Sequence, residues 1–217
     1  MKMEEQLYQR IWQNKGAKPS TIIKSGSRVD VASLMLGSGL RLLDVGCGKG
    51  TFGALAKDRF EEVYGIDIST NALSIAEKEG IKTTTVNLND ETIPFPDEYF
   101  NMVVCLDVIE HVFDPVNLLN EINRVLVTRG ELVISTPNTR YWKHIVRLLC
   151  FGMAPQTSGD REGYDGGHIH YFTFRDMCNL LNDCGFNVVE KRGTFGRNNL
   201  KEFLSTGIVI KAENTRL

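Results

Sequence analysis

The chain has 217 residues, 42% hydrophobic and 24% charged, the balance of a soluble globule long enough for a large core. Its net charge of −2 gives no electrostatic reason to expect nucleic acid or an anionic membrane as partner. No apolar run approaches the roughly 18 residues of a membrane span, which excludes a spanning helix. The five cysteines, at 47, 105, 150, 178 and 184, form no C-x-x-C pair. They suit a reducing cytoplasm and argue against a structural zinc site. Met1 to Glu5 turns acidic too early for a signal peptide. The expectation is one cytoplasmic domain over 1–217, without internal repeats.

In chain order, residues 3–14 have the spacing of a helix carrying Leu7, Ile11 and Trp12, ended by Pro19 and the Gly/Ser segment that follows. A helix over Arg28–Leu36 comes next. Leu40 to Val45 reads as a buried strand that stops at Gly46, Gly48 and Gly50, with helix-forming residues from Thr51 to Lys57. Glu62–Asp67 is a second strand, Thr70–Glu79 a helix N-capped by Ser69 and closed by Gly80, and Lys82–Val86 a third strand. Phe100–Leu106 is almost uninterruptedly apolar, as a central parallel strand covered on both faces would be. Pro115 opens a helix running to Val127, Arg129–Gly130 is a turn, and Glu131–Ser135 is a fifth strand. A helix carrying Trp142, Ile145, Leu148 and Leu149 precedes a glycine-rich loop, so that 140–171 forms a cover over the pocket. A helix over Arg175–Asp183 leads to two last strands, Phe186–Lys191 and Leu204–Lys211, joined as in a hairpin.

Strand, glycine turn and helix together open a nucleotide-binding βαβ unit. The third glycine arrives one place too early for the dinucleotide pattern G-x-G-x-x-G, and Asp44 just before the turn would repel a pyrophosphate. Such a carboxylate can instead orient the turn or accept from a ligand ammonium. Asp67, ending the second strand, can accept both hydroxyls of a ribose. Cys47 reads as a small residue tolerated beside the ligand rather than a nucleophile. Gly46, Asp67, Asn87, Asp107 and Asn138 all fall at or just past strand ends, on the sheet edge where open parallel sheets bind ligands.

D-V-G-C-G-K-G followed by G-I-D-I-S resembles motif I and the next acidic motif of the class I S-adenosylmethionine methyltransferases, and the likeness extends over about residues 40–190. It implies an α/β, Rossmann-like, seven-stranded sheet, mostly parallel with the last strand antiparallel, flanked by helices on both faces. It implies S-adenosylmethionine as cofactor, with Asp44, Gly46 and Gly48 at its methionine part, Asp67 at the ribose, and Cys47 and Ile68 also among the cofactor-binding residues. Asn87 and Leu88 would meet the adenine, and Leu106 would lie near the reacting methyl. Asn87 stands where the family often has Asp. In related enzymes an N-terminal helix lies over the cofactor as a lid; here 3–14 could do that or cover a sheet edge.

His111 is the candidate base, placed just past a strand end and suited to take a hydroxyl proton near neutral pH, with a structural histidine as the competing reading. The string D-x-x-E-H (Asp107, Glu110, His111) resembles the E-x-x-E-H that ubiquinone-pathway O-methyltransferases associate with a divalent metal. The primary expectation is no metal, with those three residues as the alternative. Asn138, His168, His170 and Tyr171 are candidate substrate contacts, both histidines facing one way if the segment is extended. The stretches T-P-N-T-R-Y-W and H-I-H-Y-F-T-F are similar to MetW-type proteins, thought to assist a biosynthetic acyltransferase. Expected, then, is methyl transfer to a small-molecule acceptor, first of all an oxygen. N- or C-methylation and a non-catalytic partner protein are the alternatives, and a homodimer or a biosynthetic partner enzyme is left open. An NAD-dependent reductase is disfavoured by the glycine spacing and the lack of a Tyr-x-x-x-Lys pattern.

Overall fold

The computed structural model describes residues 23–158, 165–195 and 201–216. The helix expected over 3–14 lies outside them. The elements are α1 (Arg28–Ser33), β1 (Gly39–Val45), α2 (Thr51–Ala56), β2 (Phe60–Asp67), α3 (Thr70–Lys78), β3 (Lys82–Thr85) and β4 (Phe100–Leu106). They continue with α4 (Pro115–Val125), β5 (Leu126–Pro137), α5 (Trp142–Phe151), α6 (Phe174–Asp183), β6 (Phe186–Gly193), α7 (Lys201–Leu204) and β7 (Gly207–Asn214).

All seven strands join one sheet in the order β3-β2-β1-β4-β5-β7-β6. The first five are parallel, and β7 runs antiparallel between β5 and β6. Two apolar layers follow from the period of two along each strand. Leu43, Val103, Cys105, Leu132 and Ile134 face one layer, shared with Leu119 and Ile122 of α4 and Met177 and Leu181 of α6. Leu42, Met102, Val104 and Val133 face the other, against Val31 and Ala32 of α1 and Phe52 and Ala56 of α2. This double coverage makes β4 read as a continuous apolar run.

Caps set the helix starts. Ser69 Oγ accepts from Ala72 N, Asp114 Oδ1 accepts from Asn117 N ahead of Pro115, and Thr173 with Asp176 forms a reciprocal capping box.

Several boundaries differ from the sequence expectation for local reasons. α4 stops at Val125 because Leu126 already pairs with Phe100 in β5. The expected turn at Arg129–Gly130 is an irregularity inside β5, with Arg129 at φ +60°. Leu204 closes the short helix α7, so β7 starts only at Gly207.

Strand order reverses between β1 and β4, where the connection after β1 leads to β2 on one side while β4 takes the other. The crevice past these carboxyl ends is the ligand site of open parallel sheets.

Candidate active site

The chain leaves β1 through a turn in which Gly46, Gly48 and Gly50 all have positive φ, at +69°, +52° and +76°. A Cβ at Gly46 would come 2.3 Å from Val108 Cγ2, so glycine is required both for the backbone and for seating the turn under the segment after β4. Gly46 N and Cys47 N donate to Ile66 O at 2.8 and 3.0 Å. Asp67 joins the same turn: its Oδ2 accepts from Gly48 N at 2.9 Å, and its Oδ1 from Ser69 N at 2.8 Å. Burial raises the Asp67 pKa, and the Ser69, Gly48 and Ile68 N–H groups oppose that rise. Each carboxylate oxygen can accept a further bond beyond the one it takes from the backbone. The Cys47 thiol is buried, and burial first, then the charges of Asp44 and Asp67, drive its pKa upward. A thiol so placed is inert.

Asp44 lies beneath the turn, 3% exposed, and its Oδ2 has no hydrogen-bond partner. Burial, reinforced by the Asp67 charge and opposed by the Gly53 N–H, pushes its pKa up to about 8. A buried, incompletely satisfied carboxylate is a site waiting for a donor or a cation. The ammonium of an amino-acid ligand is such a group, and on this ground the turn fits S-adenosylmethionine.

The same shift ties Asp44 to stability. Between about pH 4 and about pH 8 the unfolded chain releases this proton while the folded chain keeps it, so stability should fall as pH rises through that window. Asp44→Asn should flatten that decline in ligand-free protein. Unfolding midpoints followed across the window measure it, and parallel curves for wild type and variant would contradict the account.

Asn87, past the end of β3, spends its side chain locally. Oδ1 accepts from Asn89 N at 3.1 Å, and Nδ2 donates to Asp90 Oδ2 at 2.6 Å. Leu88 is partly buried against the larger core layer, and Leu106 against the other.

The end of β4 carries the densest chemistry. Asp107 adopts φ +54°, and its Oδ1 accepts from Ser135 Oγ at 2.7 Å while Oδ2 pairs with Arg28 Nη1 at 2.7 Å. Glu110 is fully buried, and neither of its carboxylate oxygens has a hydrogen-bond partner. Burial foremost, then the Asp107 charge, hold its pKa well above the ordinary carboxylate range. Its backbone oxygen accepts from Ile169 N (2.9 Å) and His170 N (3.1 Å), which ties the 168–171 segment down over β4.

His111 Nδ1 lies 3.2 Å from Gly167 O. A carbonyl only accepts, so the ring donates through Nδ1 and the neutral imidazole keeps its lone pair on Nε2. The His111 and His168 rings meet edge to face with centroids 4.7 Å apart. Thr157 Oγ1 donates to Asp165 Oδ2 at 2.9 Å, so at 2.6 Å from His168 Nδ1 it accepts the ring proton. That orients His168 Nε2, which lies 3.9 Å from Glu110 Oε1.

One carboxylate and two imidazoles thus converge, with ligand atoms of Glu110, His111 and His168 within 4.8 Å of one another. The trio Asp107, Glu110 and His111 is not the one brought together: Asp107 is held aside by Arg28 and Ser135, and His168 takes its place.

The other candidate substrate contacts have partners within the fold. The Asn138 side chain is fully buried, donating to Ser205 O at 2.9 Å and Glu202 O at 2.5 Å and accepting from Arg140 N at 3.0 Å. Tyr171 donates its hydroxyl to Asp165 Oδ2 at 3.2 Å. The His170 ring lies beside Phe172 with centroids 6.2 Å apart, and its Nε2 is buried without a hydrogen-bond partner.

A cavity of about 440 Å³ opens beside the glycine turn, lined among others by Arg28, Thr51, Asp107, Thr136, Thr157 and Phe195. Thr51 starts α2 directly after the turn, and Asp107 follows β4, so this cavity borders both halves of the crevice. Arg28, Thr157 and Asp165 are site residues that sequence reasoning missed. Arg28 is 79 positions from Asp107, and no local spacing links them.

A parallel sheet reversing between β1 and β4, with a glycine turn clasped by the acid that ends β2, defines the class I S-adenosylmethionine-dependent methyltransferases. Residues 8–191 match the family model described as a methyltransferase domain, and the chain belongs to that family. It is 32% identical over 129 residues to a ubiquinone biosynthesis O-methyltransferase of Alkalilimnicola ehrlichii, covering 56% of this chain and 52% of that protein. Among solved structures it is similar to an S-adenosylmethionine-dependent methyltransferase from Mesorhizobium loti, with a TM-score of 0.65 at 19% identity, covering 87% and 99% of the two chains. It is also similar to magnesium protoporphyrin IX methyltransferase from Synechocystis, solved with bound SAH, with a TM-score of 0.65 at 18% identity, covering 96% and 93%. At those identities the solved structures establish the fold. The chain spans about half the length of the first curated relatives it matches. Its cofactor is S-adenosylmethionine. Among the described residues no helix is long and apolar enough to cross a membrane.

Proposed function

We propose that the chain methylates an oxygen of a small-molecule acceptor, with His111 accepting the acceptor's proton. The observation that carries this reading is the 3.2 Å approach of His111 Nδ1 to Gly167 O, which leaves Nε2 as the basic nitrogen. The similarity to enzymes named O-methyltransferases supports the choice of oxygen. S-adenosylmethionine supplies a methyl already activated by its sulfonium, so the protein's part is placement, exclusion of water and removal of one proton.

In this reading Asp44, Gly46, Cys47 and Gly48 hold the amino-acid end of the cofactor. Asp67 and Ile68 hold the ribose, Asn87 and Leu88 border the adenine, and Leu106 forms the wall near the transferred methyl. The acceptor enters through the cavity between Arg28, Thr51 and Thr157 and reaches the His111 ring past Thr157 and His168, which connect that cavity to the base. His168 and Tyr171 act on it through the Thr157–Asp165 network, and Asn138 and His170 shape the cover.

A second reading has one observation in its favour. The buried, unpartnered carboxylate of Glu110 facing two imidazoles is a donor set for a divalent cation, and a bound cation would acidify an acceptor hydroxyl in place of a base.

The acceptor reading is tested by incubating the protein with S-adenosylmethionine and a panel of phenols, hydroxy acids and amines, with cofactor hydrolysis controlled. The expected product is a methyl ether or ester. Methylated amines alone would contradict the choice of oxygen.

A further inference from the structure

Helix α5 is reversed with respect to an ordinary surface helix. Trp142, Ile145, Val146 and Leu149 recur at i, i+3, i+4 and i+7 with Leu148 alongside, a stripe that usually turns toward the core. None of the helix's side chains is buried. Leu149 is 78% exposed and Phe151 70%, and Trp142, Val146, Leu148 and, just beyond the helix, Met153 are exposed as well. The opposite arc carries Lys143 and Arg147, one turn apart, with Phe151 beyond them at the end of the helix.

Charge is distributed in a matching way. The chain's net charge is −2, yet no carboxylate occurs between Glu131 and Asp160, while Arg140, Lys143 and Arg147 all do. Arg140 is paired with Glu202 at 3.4 Å, so Lys143 and Arg147 form the basic flank of the helix itself. The balance over the whole chain thus conceals a basic, apolar strip. That strip lies at the cavity: Pro137, before α5, and Thr157, after it, both line the cavity wall.

We propose that α5 is an interfacial anchor that seats the protein on an anionic phospholipid surface, apolar stripe inward and Lys143 and Arg147 at the headgroups. A helix lying in a bilayer interface needs an exposed apolar face, a basic polar face and aromatic or leucine side chains at its edge, and α5 has all three. A second copy of the chain fits less well. A helix of this length is about 15 Å long, and its single face falls short of the roughly 800 Å² per partner of a stable interface. The proposal does not rest on which atom of the acceptor is methylated.

The test is co-sedimentation of the full chain with vesicles of phosphatidylcholine alone or mixed with about 30% phosphatidylglycerol, a composition that gives a negative surface potential. Partitioning is expected to be about tenfold or more stronger on the anionic vesicles and to weaken with salt. The double variant Leu149→Glu/Phe151→Glu should lose that partitioning while keeping its affinity for S-adenosylhomocysteine, which shows that the fold is intact. Lys143→Glu/Arg147→Glu should abolish the preference for phosphatidylglycerol. Failure of the wild-type chain to partition onto the anionic vesicles, equal binding to both vesicles, or undiminished binding by the Leu149→Glu/Phe151→Glu variant would overturn the proposal. So would a vesicle-independent dimer that the same variant splits.

Discussion

His111→Ala is expected to slow methyl transfer about 100-fold or more while leaving the affinity for S-adenosylmethionine unchanged. The size follows from the role assigned to the ring. A hydroxyl acceptor must lose its proton as the new bond to carbon forms, and general-base assistance of that kind is worth about 100-fold to 10,000-fold. The split between turnover and cofactor affinity follows from position: His111 hydrogen-bonds Gly167, whereas the cofactor turn is held by Asp67 and Ile66. Rapid-mix turnover and calorimetry on the same preparation separate the two quantities, and full activity in the variant would return His111 to a structural task. A chelator distinguishes the competing reading. If Glu110, His111 and His168 held a cation, EDTA would abolish wild-type activity; with His111 as base, activity should survive it.

Asp67→Ala should weaken S-adenosylmethionine binding by about 1–3 kcal/mol, roughly five-fold to 150-fold, through lost charge-assisted hydrogen bonds. The same carboxylate accepts from Gly48 N and Ser69 N, so its removal also frees the turn that faces the cofactor. Asp67→Asn helps to separate the two roles. It retains an acceptor oxygen for one amide but loses the charge and one acceptor site, so its affinity should fall between wild type and alanine. Unchanged affinity in both variants, read by calorimetry, would refute the ribose assignment.

The turn after β1 and its clasp by Asp67 were legible in the sequence because each part is a local pattern. An apolar strand ending in alternate glycines requires positive φ at the turn, and an acid ending the next parallel strand lies beside that turn by topology alone. The other half depends on contacts that local spacing does not encode. His168 reaches Glu110 and His111 only because the Glu110 backbone oxygen captures the amides of Ile169 and His170. Asp107 looks like a ligand within D-x-x-E-H until Arg28, from a helix at the other end of the chain, pairs with it. Asn138 stands at a strand end, where site residues gather, yet its amide bonds to the backbone of Glu202 and Ser205. The periodicity of α5 gives a helix without saying whether its stripe is covered. Net charge misleads in the same way, since its near balance averages over a strip without carboxylates.

The central claim is that the cofactor lies across the turn after β1 with its sugar held by the acid that ends β2. A crystal structure of the protein with S-adenosylhomocysteine tests it most directly. The account predicts both ribose hydroxyls on the Asp67 carboxylate and the amino group near the Asp44 oxygen that lacks a partner. An empty crevice, or a nucleoside whose sugar lies away from Asp67, would contradict it.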